Sequence, residues 1–398
     1  MSLQPMRVGV VGSGLISRVY LENMTRRFRI LEVGGVCSAH IENARRRAGE
    51  FGLPAMTLED MLSDKSIDMI VNLTPTPAHE GIIRQALEAG KHVYTEKTMT
   101  TGHESARALA DLAAKKGLWL GSAPDTFLGA ALQTARRAID DGLIGEVTSV
   151  AFAANRDNSF LSSFFRFLNL PFGGVAYDYS VYYFTALCSL LGPVARVAAA
   201  VRAPYPTHTD IDPKSKTFGQ PIDTPNESEI SAVLTLKSGV SGTAHVNADS
   251  VIEDMHFFAI YGTEGILYLP DPNGFGGEVR LQPNWAYDEP PAPARVLRSE
   301  ASPLGRSEAS PLGRSEASPS GFGYGDNSRG VGPAELAWSV RANRPARAGA
   351  DMACHVLEVI DAIIESGSRN AFVDIHSSFA RPRPLALPTE GEESSIRD

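Results

Sequence analysis

Short apolar runs alternate with longer amphipathic stretches through the first third of the chain. Val8, Val10 and Val11 form a β-branched run that enters a glycine turn, and the chain leaves the turn at Ser17 in a helical pattern. The alternation then predicts a strand over Leu31 to Cys37 and a helix over Glu42 to Phe51. It continues with a strand from Asp68 to Leu73, a helix from Ala78 to Ala89 and a short strand from His92 to Tyr94. A helix over Ser105 to Lys116, a strand over Leu118 to Gly121 and a helix over Thr126 to Asp140 complete the unit; Gly90, Gly117 and Gly142 mark the helix ends. Nearly unbroken apolar strands joined by amphipathic helices predict a parallel sheet covered on both faces. A doubly wound α/β unit of this kind holds its ligands at the carboxyl ends of the strands.

Near Glu146 the period changes. Val147 to Ala153 alternates as a strand, Val175 to Leu191 reads as a helix, and strands dominate from Arg196 onward. Those strands are Ile230 to Leu236, Val240 to Asn247, Phe257 to Tyr261 and Ile266 to Leu269. Turns at Lys237-Ser238-Gly239 and Gly262-Thr263-Glu264-Gly265 predict hairpins, hence a mainly antiparallel sheet. The expected organisation is a doubly wound domain over residues 1–145, an α+β domain over 146–385 and a polar tail over 386–398. Within the second domain, 283–330 turns to Pro, Ser, Gly, Ala and Arg, and the unit RSEASPLG recurs from Arg298, Arg306 and, in part, Arg314. With almost nothing to bury, that stretch is expected to form a surface loop, with a partner-binding motif as the sharper alternative. The helices over Ala334 to Ala342 and Ala350 to Glu365 are expected to pack back on the first domain.

Composition narrows the classes. A chain of 398 residues exceeds one ordinary core. Charged residues at 21% and hydrophobic ones at 43% make a soluble balance, and a net charge of -9 argues against a nucleic-acid or anionic-membrane surface. No run is long enough to span a membrane. The first strand begins by about Met6, which leaves no room for a leader and makes a cytoplasmic location the expectation. Cys37, Cys188 and Cys354 are odd in number and widely spaced, so they read as buried thiols, and no metal site is expected.

Three constellations carry candidate chemistry. The first is the strand–turn–helix over Met6 to Ser17. Gly12 and Gly14 let the backbone turn and approach a pyrophosphate, while the helix start with Leu15 and Ile16 supplies amides and a positive dipole. Ser17 stands where a Rossmann fingerprint has its third glycine. The second is a pair of loops over the same crevice. Thr74, Pro75 and His79 lie in LTPTPAH after an apolar strand, and His79 reads either as a catalytic group or as a structural hydrogen-bonder. Glu96-Lys97-Thr98 follows the next strand; partial burial and nearby charge lower a lysine pKa towards neutrality and suit it to proton transfer, the alternative being a salt bridge to Glu96. The third opens the long helix of the second domain, where Asp178 and Tyr182 are four apart and share a face. Gly173 and Gly174 before them allow close approach of chain and ligand. The competing reading is that Tyr177, Tyr179, Tyr182 and Tyr183 form an aromatic packing stripe.

In this order the motifs GSGLIS, TPTPAH, AGKHVYTEKT, DGLIGEV, GGVAYDYSVYY and RPRPL resemble the Gfo/Idh/MocA oxidoreductases, over about Met6 to Leu385 without the repeat. The resemblance implies a Rossmann domain that binds NAD(P), and hydride transfer at a carbinol carbon of a sugar, polyol or related molecule. It assigns the motif lysine to Lys97, with Thr98 in place of the usual proline and a loop left less rigid. It assigns the substrate-binding aspartate and the acid/base to Asp178 and Tyr182, in the manner of the family's tyrosine branch, with Ser180 where glycine is usual. A tyrosine in that role needs a lowered pKa or a relay through Lys97. Asp125 and Thr126 are implied second-tier substrate contacts, and a homodimer or homotetramer through the second sheet is implied. An NAD-selective fold carries an acid at the end of its second strand. Here Cys37, Ser38, Ala39 and His40 stand there, with Arg45 to Arg47 further along, so weak discrimination between NAD and NADP is expected. Two rival functions fit the same scaffold: an NAD-dependent glycosidase working by transient oxidation and elimination, and a non-catalytic cofactor- or sugar-binding regulator.

Overall fold

The computed structural model describes residues 4–250, 257–285, 293–297, 323–389, 391 and 393–397; the repeat over 298–320 lies outside them. The first unit runs β1 (Met6–Val11), α1 (Ser17–Arg26), β2 (Leu31–Cys37), α2 (Ile41–Gly49), β3 (Ala55–Met56), α3 (Leu58–Ser63), β4 (Met69–Asn72), α4 (His79–Glu88), β5 (His92–Thr95), α5 (His103–Lys116), β6 (Leu120–Ser122) and α6 (Ala130–Asp140). Its six strands pair in parallel in the order β3-β2-β1-β4-β5-β6. The strand order reverses between β1 and β4, and a crevice opens at their carboxyl ends. All four residues of β4 are buried, as a strand covered on both faces requires. The helix expected over Thr126 to Asp140 resolves into a 3-10 turn, Thr126–Leu128, and α6; the break is at Gly129, where the backbone of Phe275 packs against the chain.

The second unit contributes β7 (Val147–Asn155), α7 (Asn158–Phe164), α8 (Val181–Leu191), β8 (Val194–Arg202), β9 (Thr207–Thr209), β10 (Pro221–Asp223), β11 (Glu229–Leu236), β12 (Ser241–Asn247), β13 (Phe257–Gly262), β14 (Gly265–Tyr268), β15 (Arg280–Pro283) and β16 (Arg295–Val296). The chain closes with α9 (Val331–Ala342), α10 (Ala350–Arg369), β17 (Val373–Asp374) and α11 (Ser394–Arg397). Among the described residues nine strands form one sheet in the order β16-β15-β14-β13-β7-β12-β11-β8-β17, in which only β7 and β12 pair in parallel. Its inner face carries Val150, Phe152, Ile230, Leu234, Val246 and Phe258, all buried; Phe152 and Phe258 meet Tyr183 of α8, and α10 packs on β8.

The closing helices tie the two sheets together. The amide of Ser122 in β6 donates to the Ala348 carbonyl, Gly121 bridges Gly349, and α10 packs on both α5 and β8. Glu335 in α9 is fully buried and holds the guanidinium groups of Arg344 and Arg347 at 2.7 and 3.0 Å.

Described parts of the expected surface loop and of the polar tail pack against the rest of the chain. The end of the 283–330 loop turns inward at 323–330: Tyr324 and Ser328 are buried, Arg27 pairs with Asp326, and Asn23 donates to the carbonyls of Asn327 and Arg329. In the tail, Ile396 is buried and the Glu393 carboxylate accepts from the amides of Arg29 and Ile30. In both cases a few apolar or capping side chains, too sparse to set a composition, fix the chain.

Candidate active site

The glycine turn after β1 closes on the loop after β4. Gly12 has φ +114°, and a Cβ there would lie 2.6 Å from the Leu73 carbonyl group, so only glycine lets the two loops meet. At Gly14 the equivalent position is open. Ser17 is buried and its hydroxyl donates to the Gly14 carbonyl at 2.7 Å, so serine in the third position draws the turn onto α1. Among the described residues the amides of Leu15 and Ile16 meet no acceptor, and Leu15 stands 86% exposed on the turn. Free amides at a helix start, beside a position with no side chain, fit a pyrophosphate.

At the end of β2 the Ser38 hydroxyl lies 3.0 Å from the Ser13 hydroxyl. Arg45 points to solvent, but Arg47 does not: its side chain is 12% exposed, pairs with Glu50 and reaches the Gly14 carbonyl at 3.3 Å. On the other side, Asn72 accepts from the Thr74 hydroxyl at 2.8 Å and donates to Thr95, which sets the loop that Pro75 leads into a 3-10 turn. His79 is fully buried with its ring nitrogens 2.7 Å from the carbonyls of Thr74 and Thr98. Burial pushes its pKa down. It therefore clamps the two crevice loops to each other rather than presenting a free nitrogen to a ligand.

Lys97 is not paired with Glu96. The Glu96 carboxylate takes the Tyr20 hydroxyl at 2.7 Å and the Lys97 amide at 3.0 Å. Lys97 Nζ instead crosses to the second unit, where it bonds the Asp178 carboxylate and, at 2.7 Å, the Asp178 carbonyl. Both side chains are less than a fifth exposed. Thr98 is buried; its hydroxyl donates to Thr100 and its carbonyl meets His79, so hydrogen bonds hold the loop that lacks a proline.

The long helix begins with a wider turn than expected. Ala176–Ser180 is π-helical, with the Ser180 hydroxyl donating to Val175, and only then does α8 begin. Asp178 and Tyr182 sit on either side of this junction, and Lys97 Nζ lies 5.3 Å from the Tyr182 ring centre. The other tyrosines form the packing stripe: Tyr177 donates to Asp361, Tyr179 to Asp271, and Tyr183 stacks on Phe258. The glycines before them serve the protein itself, since a Cβ at Gly174 would strike the Glu227 carboxyl and one at Gly173 the Leu168 backbone.

The electrostatics depart from expectation. Burial is the largest influence and depresses the lysine, but the Asp178 carboxylate, with Tyr182 and Glu96 behind it, outweighs burial in sum and Lys97 lies above its ordinary pKa. Burial also raises Tyr182, against the pull of Lys97 and Arg329. Neither group has the lowered pKa expected of it, so at neutral pH both are protonated and the crevice presents two hydrogen-bond donors over one carboxylate.

Asp125, expected at the substrate, faces the closing segment: it is buried and accepts from the amides of Gly332 and Gly330 at 3.0 and 3.4 Å. Burial raises its pKa to about 6. Thr126 is buried beside it. The segment Asp125 anchors delivers Arg329 to the crevice, a residue hidden from sequence reasoning by the low-complexity stretch before it; the buried Tyr324 and the glycines Gly330 and Gly332 were the available signal.

Comparison with known proteins bears on the family and the fold. Residues 6–123 match the family model described as "Oxidoreductase family, NAD-binding Rossmann fold", and residues 132–268 match that of the "GFO/IDH/MocA C-terminal domain". Among curated relatives, the inositol 2-dehydrogenase of Rhizobium meliloti (strain 1021) is 28% identical over 200 residues, 49% of this chain and 58% of that protein. The dTDP-3,4-didehydro-2,6-dideoxy-alpha-D-glucose 3-reductase of Streptomyces violaceoruber is 29% identical over 204 residues, 50% of this chain and 58% of that one. The chain thus matches little more than half the length of these curated relatives. Among solved structures, levoglucosan dehydrogenase in complex with NADH superposes with a TM-score of 0.78 at 20% identity, covering 94% of this chain and 100% of that one, a likeness of fold. Two matched models placed end to end on the two sheets, with the crevice between them, mean that the chain belongs to the Gfo/Idh/MocA family of oxidoreductases.

Proposed function

We propose that this protein is an NAD(P)-dependent oxidoreductase acting on a CH–OH carbon of a sugar, polyol or related small molecule. The observation that carries the proposal is the convergence of Lys97, Asp178 and Tyr182 from two separate units at the carboxyl edge of the parallel sheet. The turn Gly12 to Ile16, Ser38, Thr74, Pro75 and Glu96 supply the surface for the dinucleotide, and His79 braces it. The bound nicotinamide supplies the chemistry of hydride transfer. This chain's residues handle the proton and the geometry. The Lys97 ammonium and the Tyr182 hydroxyl donate to the substrate oxygen, stabilising the negative charge that develops there. Asp178 holds Lys97 in place and accepts from a neighbouring substrate hydroxyl. In reduction the pair gives a proton to the oxygen as the C–H bond forms; in oxidation it takes one as the C–H bond breaks.

The deciding experiment is an absorbance screen for reduction of NAD and NADP across sugars, inositols, sugar acids and aryl glycosides. Reduction with a polyol or sugar supports the proposal. Release of an aryl group without net reduction points to the glycosidase; cofactor binding without turnover of any member points to the regulator.

The outer face of the large sheet supports a second proposal, a homo-oligomer. Ala151, Ala153, Ala198, Ala200, Val233 and Thr243 line it, small residues that let a second sheet approach closely. Val233 and Phe257 there are 46% and 40% exposed. Sedimentation at micromolar concentration tests it: a monomer removes the proposal.

A further inference from the structure

We propose that Asp361 of α10 is a positioning residue for the reaction: its one carboxylate holds both the loop that carries Lys97 and the turn that carries Asp178, and so sets how closely the two meet. This deepens the oxidoreductase reading above and rests on it. Lys97 and Asp178 come from separate units, and a lysine head sits on a flexible four-carbon stem. The contact at the end of that stem does not by itself fix the two backbones behind it. Asp361 fixes them with both of its oxygens. Oδ2 accepts the His103 amide at 2.8 Å, and Oδ1 accepts the Tyr177 hydroxyl at 2.7 Å.

Each bond leads directly to one member of the pair. His103 is the first residue of α5, and the residue before it, Gly102, has no side chain to cap the helix amides; the acid on α10 supplies the cap from another element. Between Lys97 and Gly102 the loop is braced in series, Thr98 hydroxyl to Thr100 carbonyl at 2.9 Å and Thr100 hydroxyl to Gly102 carbonyl at 2.7 Å. Where α5 begins therefore sets where Lys97 stands. On the other side Tyr177 immediately precedes Asp178 in the π turn, with its ring edge-on to Phe172 at 5.7 Å. The links Lys97–Asp178 and His103–Asp361–Tyr177 thus close a ring across the seam between the units, and α10 packs on both α5 and the π turn. Such bracing governs rate, because a misplacement of about 1 Å at the reacting groups costs about a hundredfold.

Three variants test it. Asp361→Leu removes both bonds, and Tyr177→Phe removes one while keeping the Asp361 charge. Asp361→Asn keeps a carbonyl for the His103 amide and an N–H for the Tyr177 oxygen. The first readout, on the full chain, is competitive labelling with acetic anhydride at pH 8, with Lys97 measured by mass spectrometry against the exposed Lys115. The second is kcat and KM for a substrate found in the absorbance screen. Asp361→Leu is expected to raise Lys97 labelling about tenfold, because a lysine held less closely by its carboxylate has a larger neutral fraction. It is also expected to lower kcat by about 10–100-fold with KM changed less than about threefold. Tyr177→Phe should move both readouts in the same direction by a smaller step, and Asp361→Asn should restore most of the loss. Lys91, buried with its Nζ on the carbonyls of Asp64 and Ile67, should keep its wild-type labelling in all three. A parallel rise at Lys91 means general loosening and overturns the inference, as does unchanged Lys97 labelling in Asp361→Leu and Tyr177→Phe. An effect of Asp361→Asn as large as that of Asp361→Leu reduces Asp361 to a charge acting through space, which overturns it too. Should Asp361→Leu not fold, the other two variants decide: the link requires Lys97 labelling to rise in Tyr177→Phe and to hold in Asp361→Asn. Absence of turnover by the wild-type protein is a separate result that removes the oxidoreductase reading, while the labelling still decides the link.

Discussion

Lys97 reaches from the parallel sheet to Asp178 in the second unit, its Nζ 2.7 Å from the aspartate carbonyl oxygen and bonded to the carboxylate as well. No dinucleotide phosphate is needed to explain that placement. Lys97→Ala is therefore expected to lower turnover by about 10²–10⁴-fold, the scale of a lost acid/base group, with dinucleotide affinity nearly unchanged. Steady-state rates together with NADH fluorescence titration check it; wild-type turnover would remove Lys97 from the chemistry.

The raised pKa of Lys97 sets the sign of the pH dependence. Its neutral form is scarce until the pH passes the ordinary lysine range, because Asp178, Tyr182 and Glu96 together more than offset burial. Oxidation of an alcohol needs a group able to take a proton, so kcat/KM in that direction should climb without a plateau from pH 7 to pH 10. Asp178→Asn removes the strongest of the charges that oppose burial, which moves the rise to lower pH. A flat profile in the wild-type enzyme, or a rise moved to higher pH in the variant, contradicts this assignment.

The parallel sheet was legible because its signals are local, and the three residues proposed for the chemistry, Lys97, Asp178 and Tyr182, stand in equally local motifs. Val8 to Gly14 and Leu73 to His79 combine strand, turn and helix start in consecutive residues, and the four-residue spacing of Asp178 and Tyr182 survives the π turn between them. Charge state was not legible. Whether Lys97 goes up or down depends on a carboxylate 81 residues away, and burial taken alone has the wrong sign. The roles of Gly174 and Asp125 were missed for the same reason: their neighbours, Glu227 and the amides of Gly330 and Gly332, are remote in sequence. Arg329 was missed because composition averages over a window, and a single inward turn after a long polar stretch does not move the average.

Cofactor choice should follow Ser38. Its hydroxyl and that of Ser13 face each other at 3.0 Å, with no acid at the end of β2 to grip a ribose diol or repel a 2′-phosphate. The wild-type protein is expected to discriminate between NAD and NADP by less than about a hundredfold, and Ser38→Asp to shift the ratio towards NAD by about tenfold or more, through the repulsion of two like charges. Parallel fluorescence titrations with NADH and NADPH read both numbers. A strong preference in the wild type, or no shift in the variant, would mean that a group other than Ser38 selects the cofactor.

His355 makes the fold acid-sensitive. It is buried in α10, where Nε2 accepts the Val194 amide at 2.9 Å and Nδ1 lies 2.8 Å from the Ser377 hydroxyl. An amide donor at Nε2 requires that nitrogen to be unprotonated, and burial lowers the histidine pKa to about 4. The unfolded chain binds the proton near the ordinary value, about 6.5. Stability from this group is therefore complete above that value and is lost as the pH falls towards the folded pKa, by up to about 3 kcal/mol over the window. His355→Gln keeps an acceptor for Val194 without a titrating ring. It should lower stability at neutral pH by about 1–3 kcal/mol through imperfect packing and hydrogen bonding, while flattening the slope between pH 6.5 and 4. Urea denaturation at steps of half a pH unit measures both quantities. The slope is the decisive one: if it is as steep in His355→Gln as in the wild type, other groups carry the acid transition, and the Val194–His355 link from β8 to α10 is only a packing contact.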